Sequence, residues 1–364
     1  MKDPNSKSLV REVILSTGLF LLAFLATAEL LHTTIRSPLD LHADERSEKL
    51  EMIRQWHDKI FSAAFGSSHV HNGFSAKVFD AQLQGTPLAT HTANLAIEGG
   101  SQTEQRVLAL RFVGQLPINA PTDTPPQPCL VMLELGAGAN FTNDHLIHPR
   151  AINIYDWQSL SFVRQLTDVS MPRVKRYGRI GYAVTASGLY YLNVGMLSNK
   201  IFAPPLSNSV LDDQTREDRR GQLRLPDAPE ATSHIAQILA ARPRDLPSTP
   251  GILVAGNSNL IAQLTEASPL KGVSFVYFEM PKVGDVNGAT DFPDHISVPT
   301  KDGTKQVPII NLARPDRFPQ LYNPVLWHDD SHLNGRGSEV LSALLAQQLK
   351  LWYASHGLPL HCGG

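Results

Sequence analysis

The sequence has only two cysteines, Cys129 and Cys362. A small disulfide-stapled scaffold is therefore excluded, and neither residue sits in the Cys-x-x-Cys spacing of a zinc or redox site. Charge is scarce as well. Charged residues make up 18% of the chain, 32 basic against 34 acidic, for a formal net charge of −2. The basic footprint of a nucleic-acid-binding protein is missing. The longest charge cluster, Asp212 to Arg220, mixes both signs and reads as a solvated loop. No internal repeat is visible. Long hydrophobic runs are missing too, with one exception at the N-terminus.

What is present is 42% hydrophobic residues over 364 positions. That is enough for one large globular domain or two small ones. The exceptional run is Val13 to Leu31, in which Glu29 is the one ionisable residue. As a helix it covers roughly 28 Å at about 1.5 Å per residue, close to the thickness of a bilayer's hydrocarbon core. Lys2, Lys7 and Arg11 precede it, and only Arg36 follows closely. That bias puts residues 1–12 in the cytoplasm and the rest outside. Ala26-Thr27-Ala28 also matches a small-x-small cleavage site. Residues 13–31 thus read as an uncleaved anchor or as a signal peptide, and both readings export the remainder. In an oxidising compartment a bridge between Cys129 and Cys362 is compatible with the chain.

Residues 32–58 read as a linker running into an amphipathic helix, with Leu50, Ile53, His57 and Ile60 at helical spacing. Phe61 to Phe65 reads as a buried strand ended by Gly66. Ser75 to Leu83 reads as a capped helix with Val78, Phe79 and Leu83 on one face. Thr92 to Ile97 reads as a second strand, ended by Gly99-Gly100, and Gln102 to Leu116 as a helix. A proline-rich loop, Pro121 to Pro128, leads into the clearest buried strand, Cys129 to Leu135. Helices at Asn153 to Leu166 and Ala183 to Leu197, with the charged segment, form an insertion at about residues 150–250. The pattern then resumes with a strand (Gly251 to Ala255), a helix (Leu260 to Glu266), strands at Val273 to Met280 and Val307 to Leu312, and a final helix, Ser338 to Tyr353. This alternation predicts an α/β domain over residues 59–364 with a mainly parallel sheet and the first strand at its centre. In such sheets functional loops lie at the carboxyl ends of the strands.

Two segments carry chemistry. Phe65-Gly66-Ser67-Ser68-His69 follows the first strand of the domain, and Trp327-His328-Asp329-Asp330-Ser331-His332-Leu333-Asn334 precedes the last helix. A serine hydroxyl is a poor nucleophile unless a base takes its proton, and the base must be held in one tautomer. Asp329 and His332 are three residues apart, so one loop turn can join carboxylate and imidazole. Asp330 is the fallback for Asp329.

These segments resemble the SGNH (GDSL-like) hydrolase superfamily. Its Gly-x-Ser motif is matched by Gly66-Ser67-Ser68 and its Asp-x-x-His motif by Asp329 to His332. The resemblance implies a three-layer α/β/α sandwich and catalytic residues Ser68, Asp329 and His332. It implies an oxyanion hole drawn from Gly99 or Gly100 and from Asn140, in Gly138-Ala139-Asn140, where Phe141 replaces the family's acidic residue. The anchor followed by these motifs is most similar to exported enzymes that move acetyl or other acyl groups on cell-surface polysaccharides, of the alginate-acetylation and teichoic-acid D-alanylation type. That implies a single-pass protein of the inner membrane with its catalytic domain outside the cytoplasm. The acceptor would be a polysaccharide hydroxyl, and the acyl donor would come from a multispanning membrane acyltransferase. No cofactor is implied. A carbohydrate esterase with the same three residues, and a non-catalytic partner of a membrane acyltransferase, are the alternatives.

Other readings compete for some of these residues. Asn140 lies in an Asn-Phe-Thr glycosylation sequon. Gly136-Ala137-Gly138 begins like a dinucleotide loop, but Phe141 stands where its third glycine belongs. His69, His71, His328 and His332 offer a metal reading, with His328 and His332 at a zinc-compatible spacing, but neither segment has a supporting ligand pattern, and His69 and His71 read instead as lining the pocket rim or facing solvent.

Overall fold

A strand with no polar side satisfies its backbone only inside a sheet covered on both faces. The structure is a computed structural model and describes residues 5–34, 45–56, 58–100, 102–114, 129–135, 172–191, 213–241, 245–251, 273–300 and 303–356. Its strands are β1 (Ser62–Phe65), β2 (Thr92–Asn94), β3 (Leu130–Glu134), β4 (Ser248–Pro250), β5 (Ser274–Glu279), β6 (Ala289–Asp291), β7 (His295–Thr300) and β8 (Gly303–Asn311). Six of them form one sheet in the order β2-β1-β3-β5-β8-β7. Every neighbouring pair in it is parallel except β7 with β8. Strands β4 and β6 form a separate parallel pair. The first strand is not central, as the sequence pattern suggested. It lies one in from the edge, between β2 and β3. The chain leaves β1 for β2 on one side and crosses to β3 on the other, so the connections reverse between β1 and β3.

The helices are α1 (Asn5–Thr34), α2 (Glu45–Gln55), α3 (Ser68–Gly73), α4 (Ala76–Leu83), α5 (Gln102–Phe112), α6 (Arg173–Tyr191), α7 (Asp213–Arg219), α8 (Pro229–Ala240) and α9 (Gly335–His356). Strand alternation assigns them to faces. Ala63, Phe65, Val131, Leu133, Phe275 and Tyr277 point to one side, where Met52 and Ile53 of α2 and Val107 and Leu108 of α5 meet them. Ala64, Leu130, Met132, Val276 and Phe278 point to the other side. There they meet Val70 of α3, Phe79 and Leu83 of α4, Ile235 of α8 and Leu341, Leu345 and Leu349 of α9. Each large apolar side chain so buried contributes about 1.5–3 kcal/mol relative to exposure. The result is an α/β domain with a largely parallel sheet and helices on both faces.

Outside the domain, α1 is 30 residues long. Its Arg11–Ala28 stretch has a mean hydropathy of 1.6, and Leu15, Leu19 and Leu22 are exposed. It is long and apolar enough to cross a membrane. Cys129 is disulfide-bonded; the sequence's other cysteine, Cys362, lies outside the described residues.

Several elements depart from the sequence pattern for physical reasons. The charged run Asp212 to Arg220 is no plain solvated loop. It forms α7, buries Arg216 and leads into Gly221, whose carbonyl accepts the Lys49 ammonium at 2.6 Å. The final helix starts three residues early because Asn334 caps it. Its Oδ1 accepts the N–H groups of Arg336 and Gly337, each at 3.0 Å. Helix α6 starts at Arg173, well before Ala183. The segments Asn153 to Leu166 and Leu260 to Glu266, and all of Gly251 to Ala255 after its first residue, lie outside the described residues.

Lys49, on α2, is fully buried, and its Nζ donates to the carbonyls of Asn94 at 3.2 Å and Gly221 at 2.6 Å. Burial pushes its ammonium below the ordinary value, against the charges of Glu48 and Glu45. Lys49→Met keeps the chain length but removes the cation from two buried carbonyls and two buried carboxylates. Urea unfolding of the full chain in detergent should show a loss of about 3–5 kcal/mol. A loss below ~1 kcal/mol, typical of exposed pairs, contradicts this account.

Candidate active site

The turn after β1 is built around a close approach. A Cβ on Gly66 would lie 2.4 Å from Val70 Cγ2 and 2.6 Å from Glu134 Oε2, so no larger residue fits without displacement. Phe65 and Leu133 are register partners on parallel strands, which brings the following residues, Gly66 to Ser67 and Glu134, face to face. The Ser67 N–H donates to Glu134 Oε2 at 2.6 Å, and its hydroxyl donates to Oε1 at 3.1 Å. Ser67 is also the N-cap of α3, accepting the His69 N–H at 3.3 Å. Both faces of Ser67 are thereby used, and Ser68 is presented as the first residue of α3, at the carboxyl end of β1.

The second segment is a pinched loop. Trp327 and Leu333 form an antiparallel bridge, and the His328 N–H donates to the His332 carbonyl at 2.8 Å. Trp327 anchors it, fully buried with Nε1 donating to Leu321 O at 3.0 Å. Within the loop, Asp329 Oδ1 accepts the N–H groups of Ser331 at 2.8 Å and His332 at 2.7 Å. This is an aspartate turn that folds the side chain back over its own backbone.

The two segments meet across 264 positions of sequence. His332 Nε2 lies 2.9 Å from Ser68 Oγ. His332 Nδ1 lies 3.0 and 2.9 Å from the two Asp329 oxygens. Burial pushes the Asp329 carboxyl up, but the hydrogen bonds from the His332 ring, Ser331 and His332 N–H groups, together with the ring's charge, outweigh it and hold the carboxyl below its ordinary range. An ionised Asp329 accepts a proton-bearing Nδ1, which leaves Nε2 to accept from the Ser68 hydroxyl. Asp329 is 44% exposed, so the pair serves orientation more than stability. An imidazole bridging a carboxylate and a hydroxyl in this way can draw the hydroxyl proton.

The remaining sequence candidates fall around this line. Asp330 turns toward Ser331, accepting its hydroxyl at 3.2 Å, and does not meet His332. Gly99 adopts φ +61° in the turn after β2. The Gly100 N–H is engaged by Ile97 O at 2.9 Å, whereas the N–H groups of Gly99 and Ser68 have no acceptor among the described residues. The turn packs beside the Gly66–Ser68 turn: a Cβ on Gly100 would lie 2.9 Å from Gly66 O. Asn140 lies outside the described residues. The four histidines do not converge. His328 Nδ1 faces Pro226 O at 2.9 Å, and His71, expected at the pocket rim or in solvent, is instead fully buried against Glu45. Among the described residues no group of three or more His, Cys, Asp or Glu side chains could hold a metal.

His69, expected at the pocket rim or in solvent, stands beside the site, and two further contributors, Glu134 and Asp285, went unread in the sequence. The His69 ring stacks on His332 with centroids 5.2 Å apart, and its Nδ1 lies 3.1 Å from Ser67 Oγ. Glu134 had one available signal, an acid at the carboxyl end of an otherwise apolar strand. Asp285 had none. It accepts the Lys282 N–H at 2.6 Å and the Tyr322 hydroxyl at 3.0 Å, and the Lys282–Asp285 turn joins the pinched loop through Val283 N–H to Asp330 O at 3.1 Å. No family model, curated protein or solved structure matches the chain.

Burial pushes the Asp285 carboxyl up from 3.8 to about 6, against hydrogen bonds and the nearby Lys282 and His69. The folded state therefore holds this proton more tightly than the unfolded chain does. The group costs stability above about pH 6, and the cost fades as pH falls toward 3.8. Asp285→Asn keeps an acceptor without the charge. The variant should melt higher than wild type at mildly alkaline pH, with the advantage vanishing in acid. An equal melting difference at both ends of the range would show that the buried charge is not the cause.

Proposed function

We propose that this chain is a membrane-anchored serine acyl-transfer enzyme of the SGNH type, acting outside the cytoplasm on hydroxyl groups of a cell-surface polysaccharide. The observation that carries the reading is the hydrogen-bonded line from Ser68 Oγ through His332 to Asp329. Its position supports the reading too, since it sits at the carboxyl end of β1 beside the reversal of strand order, where open α/β sheets bind ligands. Helix α1 supports membrane attachment, and its basic N-flank favours a cytoplasmic N-terminus with the domain outside.

In the proposed reaction Ser68 Oγ attacks the acyl carbonyl carbon while His332 Nε2 takes the hydroxyl proton. Asp329 holds the ring and stabilises the resulting imidazolium. The new Oγ–C bond forms, and the bond to the leaving group breaks as His332 passes its proton to that group. An acceptor hydroxyl then loses its proton to His332 and attacks the acyl-enzyme, the Oγ–C bond breaks, and His332 passes the acceptor's proton to Ser68 Oγ. The oxyanion of each tetrahedral intermediate is received by the open N–H groups of Ser68 and Gly99. Gly100, with its N–H engaged by Ile97 O, is left out of that role. The SGNH resemblance adds Asn140 as a third donor. A sugar hydroxyl as acceptor makes the enzyme an O-acyltransferase, and water makes it an esterase. A multispanning acyltransferase in the same membrane is the proposed source of the acyl group.

Steady-state turnover of an activated acetyl ester by the full chain in detergent tests the assignment. Ser68→Ala and His332→Ala should fall to a similar floor, and the double variant should fall no further, because members of one catalytic unit are not additive. Asp329→Asn should fold normally and lose roughly ten-thousandfold in kcat. Wild-type turnover in Ser68→Ala would remove the basis of the proposal.

A further inference from the structure

Helix α2 follows α1 after residues 35–44 only, a length of chain that spans at most about 35 Å. The first residue of α2, Glu45, does not face solvent: it is 4% exposed. Both of its carboxylate oxygens accept the Glu98 N–H, at 2.9 and 2.8 Å. Its Oε1 also lies 2.6 Å from Nδ1 of His71, a close contact rather than an aligned hydrogen bond. Burial pushes this carboxyl up, but the His71 ring, Lys49 and the Glu98 N–H outweigh it and hold the carboxyl below its ordinary value.

The two groups held by Glu45 belong to the two segments the chemistry needs. Glu98 directly precedes Gly99, which carries an open N–H. His71 lies one helical turn after Ser68 on α3, with its ring fully buried. Other described residues of α2 have further partners. Lys49 bonds Asn94 and Gly221, and Met52 and Ile53 enter the apolar core. Glu45 thus ties the nucleophile helix to the turn after β2.

We propose that Glu45 is a positioning residue that sets the Gly99 N–H against Ser68, so that the site is complete only while the juxtamembrane helix α2 is docked. This rests on the acyl-transfer reading and extends it, because it makes the segment leading from the membrane part of the machinery. Residues 35–44 then limit how far the site can stand from the membrane surface.

The test is the rate at which a fluorophosphonate labels Ser68 in the full chain in detergent, with kcat and KM for an activated ester measured beside it. Glu45→Ala should slow labelling and kcat by roughly a hundredfold, the scale of an ångström-size misplacement, with KM little changed. Glu45→Gln, which still offers an oxygen to the Glu98 N–H, should recover much of the rate. Ile53→Ala, on the apolar side of the same helix, is the stability control. It should lower the melting temperature yet label at close to the wild-type rate while folded. Wild-type labelling in Glu45→Ala overturns the proposal, and so does an equal slowing in Ile53→Ala. Failure of wild-type Ser68 to take label overturns the acyl-transfer reading itself, and the role of Glu45 with it.

Discussion

The arrangement of the site depends on one carboxylate. Glu134 ends β3 and grips both the N–H and the hydroxyl of Ser67 at the end of β1. Parallel strands bring their carboxyl ends together, and the reversal of strand order between β1 and β3 opens a crevice there. Without that partner, the turn Gly66-Ser67 would have an unpaired N–H. With Glu134 in place, Ser67 caps α3 and Ser68 follows in a set direction. The glycine at 66 is a consequence, since any Cβ there would collide with Val70 and with Glu134 itself.

The second half of the site is held by packing rather than by charge. Trp327 is fully buried, and Leu333 is its bridge partner, so the residues between them are forced into a narrow loop. Asn334 then caps α9, whose leucines sit on the same face of the sheet as Val70 of α3. One apolar layer thereby fixes both the helix that begins with Ser68 and the helix that follows His332. The hydrogen bond between them costs little further ordering, because both side chains already stand on anchored backbone.

Much of this was legible in the sequence. Cys129 to Leu135 and Val273 to Met280 read as strands because a strand buried on both faces is a nearly continuous apolar run. Ser68, Asp329 and His332 were readable because each lies in a short motif whose spacing is local. What was not legible depends on register or tertiary contact. β7 was missed: Ile296 and Val298 alternate with polar residues, and Pro299 weakens the pattern, as suits a strand at the sheet edge. Helix α3 has six residues, too few for any periodicity. The mixed-charge run at Asp212 to Arg220 looked solvated because its burial of Arg216 depends on tertiary packing around α2. The contacts of Glu134 follow only from the pairing of β1 with β3, and those of Glu45 only from the docking of α2 beside the turn after β2.

Ser68 as the group that carries the acyl chain is the claim on which the account stands. The most direct measurement is to mix the full chain with an activated acetyl ester, quench in acid within the first turnover, and map the modified peptide by mass spectrometry. The account predicts one acetyl group on Ser68, and none on the neighbouring Ser67, whose hydroxyl is held by Glu134. An acetyl group on Ser67, or a folded chain that turns the ester over with Ser68 unmodified, contradicts it.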